Sequence, residues 1–286
     1  TMALGEIRMV ALDVDEGQAI LFEENNHGLL VDTGPVYNAG QLVKDLKSYG
    51  VKELDYLILT HLHPDHSSGL FHVLEAFPQV TVLESGQRLS QSQSTEIIRW
   101  TQNRLNNLKN HRIVLADDKL KWQGANIHFL WPERVKGTNL NRNSLVTSIN
   151  YKEHTALIMG DAGGFVEEKL KDNGVLPKDV NVLVAGHHGS KKTSTQSFLE
   201  YVSPEIAIIS IDKNNIRGYP HPDTVNRLKK FSEKLFQTWN GDVEIIVDKN
   251  RLENCELRIT NCELRIADNY ELRISNCEFR IGDWGL

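Results

Sequence analysis

The sequence lacks a cysteine framework, a long apolar run and an excess of basic residues. Its three cysteines, Cys255, Cys262 and Cys277, recur within a repeat near the end of the 286-residue chain, so no disulfide scaffold is predicted. No run of about 18 apolar residues is present, which argues against a membrane-spanning helix. The formal net charge of -6 argues against a generally basic surface for nucleic acid. A local basic patch remains compatible with the sequence, from Lys191, Lys192, Arg217, Lys229 and Lys230.

The N-terminus also lacks the basic and then apolar pattern of a secretory signal. Thr1 precedes Met2, and a natural start at Met2 predicts that no leader was removed and that the protein is cytoplasmic. With 40% hydrophobic and 24% charged residues, the chain can bury the core of one large domain or of one domain with an appendage.

Short apolar runs alternate with amphipathic stretches, which predicts an α/β or α+β fold in which helices cover sheets. The candidate strands are Arg8–Leu12, Ala19–Glu23, Leu29–Asp32, Tyr56–Thr60, Val80–Leu83, Ile127–Leu130, Leu145–Tyr151, Ala156–Met159, Val182–Ala185, Ile206–Ile211 and Glu244–Val247. The candidate helices are Gly40–Tyr49, Leu70–Phe77, Thr95–Leu108, Phe165–Asn173 and Thr224–Phe236. We expect residues 85–110 to form a surface helix that lies beside the histidine cluster described below, as a covering helix rather than as a lid.

The end of the chain is an internal repeat. From Asn254 it contains four near-identical units of the type Asn-Cys-Glu-Leu-Arg-Ile, in which apolar residues alternate with Glu and Arg. This period is typical of a strand. We therefore predict a main domain over residues 1–250 and a repeat tail over residues 251–286. The tail is expected to be extended or disordered, and it is compatible with pairing to another sheet edge and with a homo-oligomer.

A dense cluster of metal-binding residue types follows the apolar run at Tyr56–Thr60. His61, His63, Asp65 and His66 lie within six residues. Packing several ionisable groups at the end of a buried strand would be costly without a metal ion that neutralises and orders them. Imidazole nitrogens with a carboxylate oxygen suit zinc, and also manganese or iron.

Two later strand ends extend the predicted metal site. Asp161 follows a buried apolar run, where a carboxylate is well placed to bridge two ions. His187 and His188 end another apolar run, and the sequence alone does not decide which of them is the ligand. Asp32, in an Asp-Thr-Gly segment, is better placed to orient a ligand imidazole.

The ordered motifs Asp-Thr-Gly, His-x-His-x-Asp-His, Gly-Asp and Gly-His resemble the metallo-β-lactamase superfamily over most of the chain. The resemblance implies an αββα sandwich with a site for one or two metal ions at one edge. It implies a first ion on His61 and His63, a second on Asp65, His66 and His187, and Asp161 as the bridge.

One ligand departs from this family pattern. Most members place a further histidine before the Gly-Asp strand, where this chain reads Asn139–Val146 without one. By the resemblance, Asn143 or water takes its place, and weak or exchangeable occupancy of the first site is expected. Asn-Ser-Leu-Val in this segment resembles the hydrolase domain of the ComEC family of DNA-uptake competence proteins, as do residues 126–132, 187–194, 208–210 and 218–222. ComEC proteins carry this domain beside a membrane channel. Because this sequence shows no channel, we do not expect the role in DNA uptake to transfer.

These features predict a hydrolase that uses two divalent ions, zinc or manganese, to activate water as a nucleophile. The favoured reaction is phosphodiester cleavage, on single-stranded DNA first and otherwise on nucleotides. The predicted catalytic residues are Asp65, His188, His221 and Lys191, and the predicted substrate-binding residues are Ser190, Thr193 and Asn143. A structural reading of the Pro-His-Pro segment at His221, as a turn that starts a helix, remains open. Two other functions remain open: an ester, lactone or β-lactam hydrolase, which predicts an apolar pocket, and a non-catalytic binding module.

Overall fold

The computed structural model describes residues 6–247 and the backbone of residues 252–258, 263–266 and 272–275. The strands are β1 (Ile7–Ala11), β2 (Ile20–Glu24), β3 (His27–Val31), β4 (Glu53–Ile58), β5 (Thr81–Glu84), β6 (His111–Ile113), β7 (Lys119–Trp122), β8 (Ala125–Trp131), β9 (Val146–Tyr151), β10 (His154–Ile158), β11 (Val182–Val184), β12 (Ile206–Ile209), β13 (Lys234–Gln237), β14 (Asp242–Val247), β15 (Leu252–Arg258), β16 (Glu263–Ile266) and β17 (Leu272–Ser275). The helices are α1 (Ala39–Ser48), α2 (Pro64–Ser67), α3 (Leu70–Ala76), α4 (Glu96–Asn106), α5 (Gly164–Asp172), α6 (Gln196–Val202) and α7 (Pro222–Phe231). None of the helices in this part of the chain has the length and apolar character needed to cross a membrane.

Two large sheets account for most of the strands. The first has the order β15-β14-β1-β2-β3-β4-β5-β6, and the second has the order β13-β12-β11-β10-β9-β8-β7. Strands β3 to β6 run parallel to one another, as do β10 to β13. Because the carboxyl ends of parallel neighbours meet at one edge, the loops that follow these strands lie close together.

Side chains alternate between the faces of each sheet, and this alternation sets the order of the layers. In β3, Leu29 and Val31 enter the core between the sheets, and Leu30 packs outward. In β11, Val182 and Val184 enter the same core, and Leu183 packs outward. Side chains of α1, α3 and α4 cover the first sheet, and those of α5, α6 and α7 cover the second. The αββα sandwich expected from the sequence is confirmed.

The predicted helix over residues 224–236 is wrong at its end. Helix α7 ends at Phe231, and Lys234–Gln237 forms β13, which pairs in parallel with β12. The edge of β12 would otherwise carry unpaired backbone groups, so strand pairing there outweighs the helical spacing of the apolar residues. Strands β6 and β7 and helix α6 were not predicted.

The described parts of the repeat tail are strands. β15 pairs antiparallel with β14, so the first repeat unit extends the edge of the first sheet. β16 pairs antiparallel with β17 as a separate hairpin. Cys262 and Cys277 lie outside the described residues, and the division of the chain near residue 250 stays a prediction.

A buried carboxyl group joins β14 to the loop after β1. Asp242 is 2% exposed, and its carboxylate accepts hydrogen bonds from the Asp13 backbone N–H and the Tyr49 hydroxyl, each at 2.8 Å. Burial, together with the negative charges of Asp45 and Asp13, raises the pKa of Asp242 to about 7. The two hydrogen bonds act in the opposite direction. The group is therefore mainly protonated in the folded protein at pH values below about 7.

The substitution Asp242→Asn should flatten the pH dependence of stability. The pKa of Asp242 rises from an ordinary 3.8 to about 7 on folding, so the folded state binds more protons between these values and loses stability as the pH rises through them. At pH values above about 7, this rise in pKa lowers the free energy of unfolding by about 4 kcal/mol. Between about pH 5 and about pH 8 the denaturant midpoint of the wild type should therefore fall more than that of Asp242→Asn. The exposed substitution Asp172→Asn is the control, and parallel pH profiles for Asp242→Asn and the wild type would contradict this account.

Candidate metal centre

The loops that follow β3, β4, β10, β11 and β12 meet at one edge of the sandwich. Backbone hydrogen bonds set their relative positions. The Asp32 N–H donates to Ile58 O at 2.8 Å, and the Leu145 N–H donates to Thr60 O at 2.8 Å. The His187 N–H donates to Gly160 O at 2.9 Å. Main-chain hydrogen bonds alone therefore hold the predicted ligand segments next to one another.

Asp32 organises the turn after β4. It is fully buried, and its Oδ1 accepts a hydrogen bond from the Thr60 backbone N–H at 2.7 Å. Its Oδ2 accepts from the Thr60 hydroxyl at 2.7 Å and the Gln18 amide at 2.9 Å. Oδ2 also accepts from His66 Nδ1 at 2.7 Å. Because a carboxylate can only accept, Nδ1 carries the proton and the other ring nitrogen, Nε2, faces the cluster.

The carboxylate of Asp161 lies at the middle of the cluster, and its two oxygens face different imidazoles. Oδ1 lies near His66 Nε2 at 3.2 Å and His188 Nε2 at 3.5 Å. Oδ2 lies near His61 Nε2 at 3.4 Å, His187 Nε2 at 3.7 Å and His63 Nδ1 at 3.9 Å. Oδ1 is buried without a hydrogen-bond partner among the described residues. An ionisable oxygen buried in this way is well suited to a cation.

His188 presents one nitrogen to the same point as His66. Its Nδ1 donates to the Ser210 carbonyl at 2.7 Å, which leaves Nε2 facing His66 Nε2 at 3.1 Å. The Asp65 carboxylate lies 3.7 Å from His188 Nε2, and the ligand atoms of Asp65, His66 and His188 all lie within 4.8 Å of one another. Two imidazole nitrogens with carboxylate oxygens form a donor set that fits a divalent ion such as zinc or manganese.

The neighbouring charges shift the pKa values of the side chains in the cluster in different directions. Burial opposes ionisation of Asp161, but the neighbouring charges of His66, His61 and His188 hold its pKa well below the ordinary value. Burial and the neighbouring charge of His66 lower the pKa of His61 to about 4. Burial also lowers the pKa of His66, but Asp161 and Asp32 raise it well above the ordinary value. The cluster therefore holds Asp161 as a carboxylate, and its negative field attracts positive charge.

Arg217 reaches this cluster from the loop after β12. Its Nη1 donates to Asp65 Oδ2 at 2.7 Å. Burial opposes ionisation of Asp65, but the charges of His66 and His188, with the hydrogen bond from Arg217, lower the pKa of Asp65 below its ordinary value. From the sequence, Arg217 was only a candidate for a basic patch, because its 152-residue separation from Asp65 leaves no local signal.

His187 and His188 both adopt left-handed backbone conformations, with φ of +47° and +51°. Few residues other than glycine do so. His187 faces Asp161 Oδ2, whereas His188 faces Oδ1. The amide nitrogen of Asn141 lies 3.3 Å from His187 Nε2, and the Tyr219 ring contacts the imidazole edge-on at 5.4 Å. Neither residue was predicted, although Asn141 lies in the asparagine-rich segment that the sequence singled out.

The side-chain amide of Asn143 binds the backbone of its own loop rather than the ligand cluster. The amide oxygen accepts from the Lys136 backbone N–H at 3.0 Å, and the amide nitrogen donates to the carbonyls of Lys136 at 3.0 Å and Asn139 at 2.9 Å. These contacts hold the loop before β9, so the geometry does not favour the expected stand-in for the missing histidine.

The other predicted substrate contacts belong to the loop after β11 and the start of α7. The Thr193 hydroxyl donates to the Ser190 carbonyl at 2.9 Å. Lys191 is exposed and pairs with Asp223 at 3.6 Å. His221 precedes α7, and its Nδ1 accepts from the Asp223 backbone N–H at 3.2 Å, which caps the helix. Their roles toward a substrate stay predictions.

Comparison with known proteins assigns the family. The profile of the metallo-beta-lactamase superfamily matches residues 12–212, which is more than half of the chain. The chain belongs to the metallo-beta-lactamase superfamily. This membership and the candidate histidine and aspartate ligands support a hydrolase that binds divalent metal ions.

Within this superfamily the chain is similar to competence proteins, which confirms the ComEC-type resemblance. It is 30% identical over 248 residues to Recombination protein 2 of Haemophilus influenzae, covering 85% of this chain and 29% of that protein. It is 31% identical over 236 residues to Competence protein ComA of Neisseria gonorrhoeae, covering 82% of this chain and 31% of that protein. The chain thus spans about a third of the length of these relatives. The metallo-beta-lactamase fold protein YhfI of Bacillus subtilis superposes with a TM-score of 0.54 at 13% identity, over 83% of this chain and 99% of that one.

Gly17 allows the loop before β2 to lie against the ligand turn. Its φ is +126°, and an added Cβ would overlap the Asp65 carbonyl oxygen. The next residue, Gln18, donates its backbone N–H to that same oxygen at 3.2 Å. Close backbone contact at this point therefore depends on the absence of a side chain.

The substitution Gly17→Ala should weaken zinc and manganese binding at least about ten-fold, because it displaces the backbone of Asp65. It should also cost more stability than Gly50→Ala. Gly50 has a φ of +95° with nothing within 4 Å of an added Cβ, so this control carries the left-handed backbone strain alone, about 1 kcal/mol. Calorimetric titration and thermal melting test both effects. Equal metal affinities in the two variants would show that the contact with Asp65 does not matter.

Proposed function

We propose that this chain is a metal-dependent phosphodiesterase that cleaves nucleic acid or nucleotides, with single-stranded DNA as the first substrate to test. The observation that carries the proposal is the Asp161 carboxylate, whose two oxygens face separate sets of imidazoles. Such an arrangement suits two ions held by one bridging carboxylate, which is a common device for in-line displacement at phosphorus. The similarity to proteins named for recombination and competence supports DNA as the substrate class.

The contacts support a specific division of the ligands. Asp65, His66 and His188 would hold one ion, and His61, His63 and His187 would hold the other, with Asp161 between them. His187 faces the same carboxylate oxygen as His61 and His63. It therefore supplies the third nitrogen that the family pattern places before the Gly-Asp strand, in place of Asn143 or water. His188 takes the position that the sequence had given to His187.

Bound ions would polarise the phosphoryl oxygens and lower the pKa of the attacking water. The chain keeps the ligand nitrogens aimed at this place: Asp32 holds Nδ1–H of His66, and the Ser210 carbonyl holds Nδ1–H of His188. Arg217 donates a hydrogen bond to the Asp65 carboxylate and so fixes its position. Lys191 and His221 lie on exposed neighbouring segments, where they would meet the negative charge of the leaving strand.

Metal stoichiometry tests the division of the ligands. If His188 and Asp65 hold the same ion, His188→Ala and Asp65→Ala should remove the same one of two zinc-binding events, and the double variant should be no worse. His187→Ala should instead match His63→Ala. Chelator-treated proteins are titrated with zinc, ion content is measured by mass spectrometry, and thermal melting confirms folding. A titration in which His187→Ala reproduces Asp65→Ala would reverse the assignment.

Activity is tested with bis-p-nitrophenyl phosphate and labelled single-stranded DNA, with manganese, zinc or a chelator. We expect metal-dependent cleavage that falls at least about 100-fold in the combined variant Asp65→Ala with Asp161→Ala, because loss of direct ligands should exceed the effect of losing outer partners. The control Asp172→Asn, on the exposed end of α5, should keep the wild-type rate.

The same assay separates the alternatives. Metal binding without cleavage of either phosphodiester would sink the proposal. Metal-dependent turnover of p-nitrophenyl acetate, a lactone or a β-lactam would then favour the carbonyl hydrolase. Inactivity on all of these substrates would favour the non-catalytic binding module.

A further inference from the structure

An exposed arginine lies stacked on an exposed phenylalanine near the metal centre. The guanidinium carbon of Arg142 lies 4.2 Å from the centroid of the Phe165 ring. Phe165, in the first turn of α5, is 45% exposed, and Arg142 is also exposed. The exposed ring therefore has a charged planar group as one of its contacts.

The Arg142 side chain is not used to hold the fold. Its guanidinium forms no ion pair and no hydrogen bond to a side chain or backbone group among residues 6–247. Only its backbone is held, since the Trp131 indole donates to Arg142 O at 2.6 Å and the Arg142 N–H donates to Asn139 Oδ1 at 2.8 Å. The five donors and one flat face of the guanidinium are therefore available to a ligand.

This Arg142–Phe165 pair is adjacent to the cluster of ligands. Asn141, one residue before Arg142, lies 3.3 Å from the His187 imidazole through its amide nitrogen. The His187 imidazole in turn lies 3.7 Å from Asp161 Oδ2. Adjacent Cα atoms are about 3.8 Å apart, so the backbone of Arg142 lies next to the residue that contacts His187. Phe165 follows Asp161 by four residues on the loop after β10 and the start of α5.

Two lysines lie beside the start of α5, and one of them, Lys191, pairs with Asp223. The backbone N–H of Gly164, next to Phe165, donates to Lys192 O at 2.8 Å, so Lys191 and Lys192 lie beside the start of α5. Both lysines are exposed. A backbone rich in phosphate would be attracted to this side.

The loops after β1 and β12, which lie near Asp65, carry several acidic residues beside Arg217. The loop after β1 contributes Asp13, Asp15 and Glu16, and Asp212 approaches from the loop after β12. Burial raises the pKa of Asp15, and the charge of Asp212 raises it further, which places these two carboxylates near each other. A polyanion approaching Asp161 would therefore be repelled on this side and attracted toward Arg142.

We propose that the Arg142–Phe165 pair is a stacking platform for an unpaired base of single-stranded DNA next to the phosphate at the metal centre. The base lies on the outer face of the guanidinium, Phe165 supports the inner face, and Lys191 and Lys192 attract the backbone. Aromatic rings and guanidinium planes are common partners of bases in single strands, where every base offers a flat face. The inference rests on the proposed function, since it names a substrate contact of that same site.

The test compares binding of a fluorescent oligothymidylate with that of an abasic strand of equal length, by fluorescence anisotropy. The full chain is used in a chelating buffer, so cleavage does not deplete the strands. The wild type should bind the strand with bases about ten-fold more tightly than the abasic one, the usual contribution of a stacked base. Arg142→Lys keeps the charge and removes the plane, so it should bring the ratio of the two Kd values close to one. Phe165→Leu should lower the ratio partly.

A matched control is present elsewhere in the chain. Lys230 lies over the Phe231 ring at 5.0 Å, at the opposite end of the second sheet from the loop that follows β11. Lys230→Gln removes a cation from an aromatic ring there and should leave both affinities unchanged.

Three outcomes would overturn the platform: equal binding of the two strands by the wild type, no measurable binding of the strand with bases, or an unchanged ratio in Arg142→Lys. Hydrolysis is measured separately with metal ions. A wild type that cleaves DNA without a preference for bases would lose the platform and keep the phosphodiesterase. A preference for bases that disappears in Arg142→Lys, in a protein without cleavage, would keep the platform and lose the phosphodiesterase.

Discussion

The buried carboxylate of Asp32 is the constraint on which the rest of the centre depends. It is fully buried and accepts two hydrogen bonds from Thr60, one from Gln18 and one from His66. These bonds join the end of β3 to the turn after β4 and select the ring nitrogen that His66 turns toward Asp161. A buried charge with fewer partners would be costly, so the cluster of ligands and the fold of this edge stabilise each other.

Much of this arrangement follows from local sequence. Apolar runs at β3, β4, β10 and β11 predicted strands, and each run is followed within a few residues by side chains that now form the cluster. Strand ends are predictable in this way because each run is short and is bounded by polar residues or glycine. The order of the motifs along the chain predicted the sandwich, and the superfamily match agrees with it.

Other parts depend on contacts between distant segments, which local patterns do not encode. Leu235 and Phe236 continue a helical spacing, yet pairing with β12 places them in a strand. The contacts of Arg217 with Asp65 and of Asn141 with His187 join loops that are far apart in the chain. The choice between His187 and His188 depends on backbone angles in a short turn, and sequence spacing carries no information on these.

The two adjacent left-handed histidines also have a mechanical consequence. They are neighbours in sequence and lie near different oxygens of Asp161, so under the proposed division of the ligands the two halves of the centre would share a single peptide unit. Their spacing is then set by one strand, β11, which is held between β10 and β12 and packed on both faces. A displacement of that strand would shift both halves together, so the distance between them is protected from motions that would separate two independent loops.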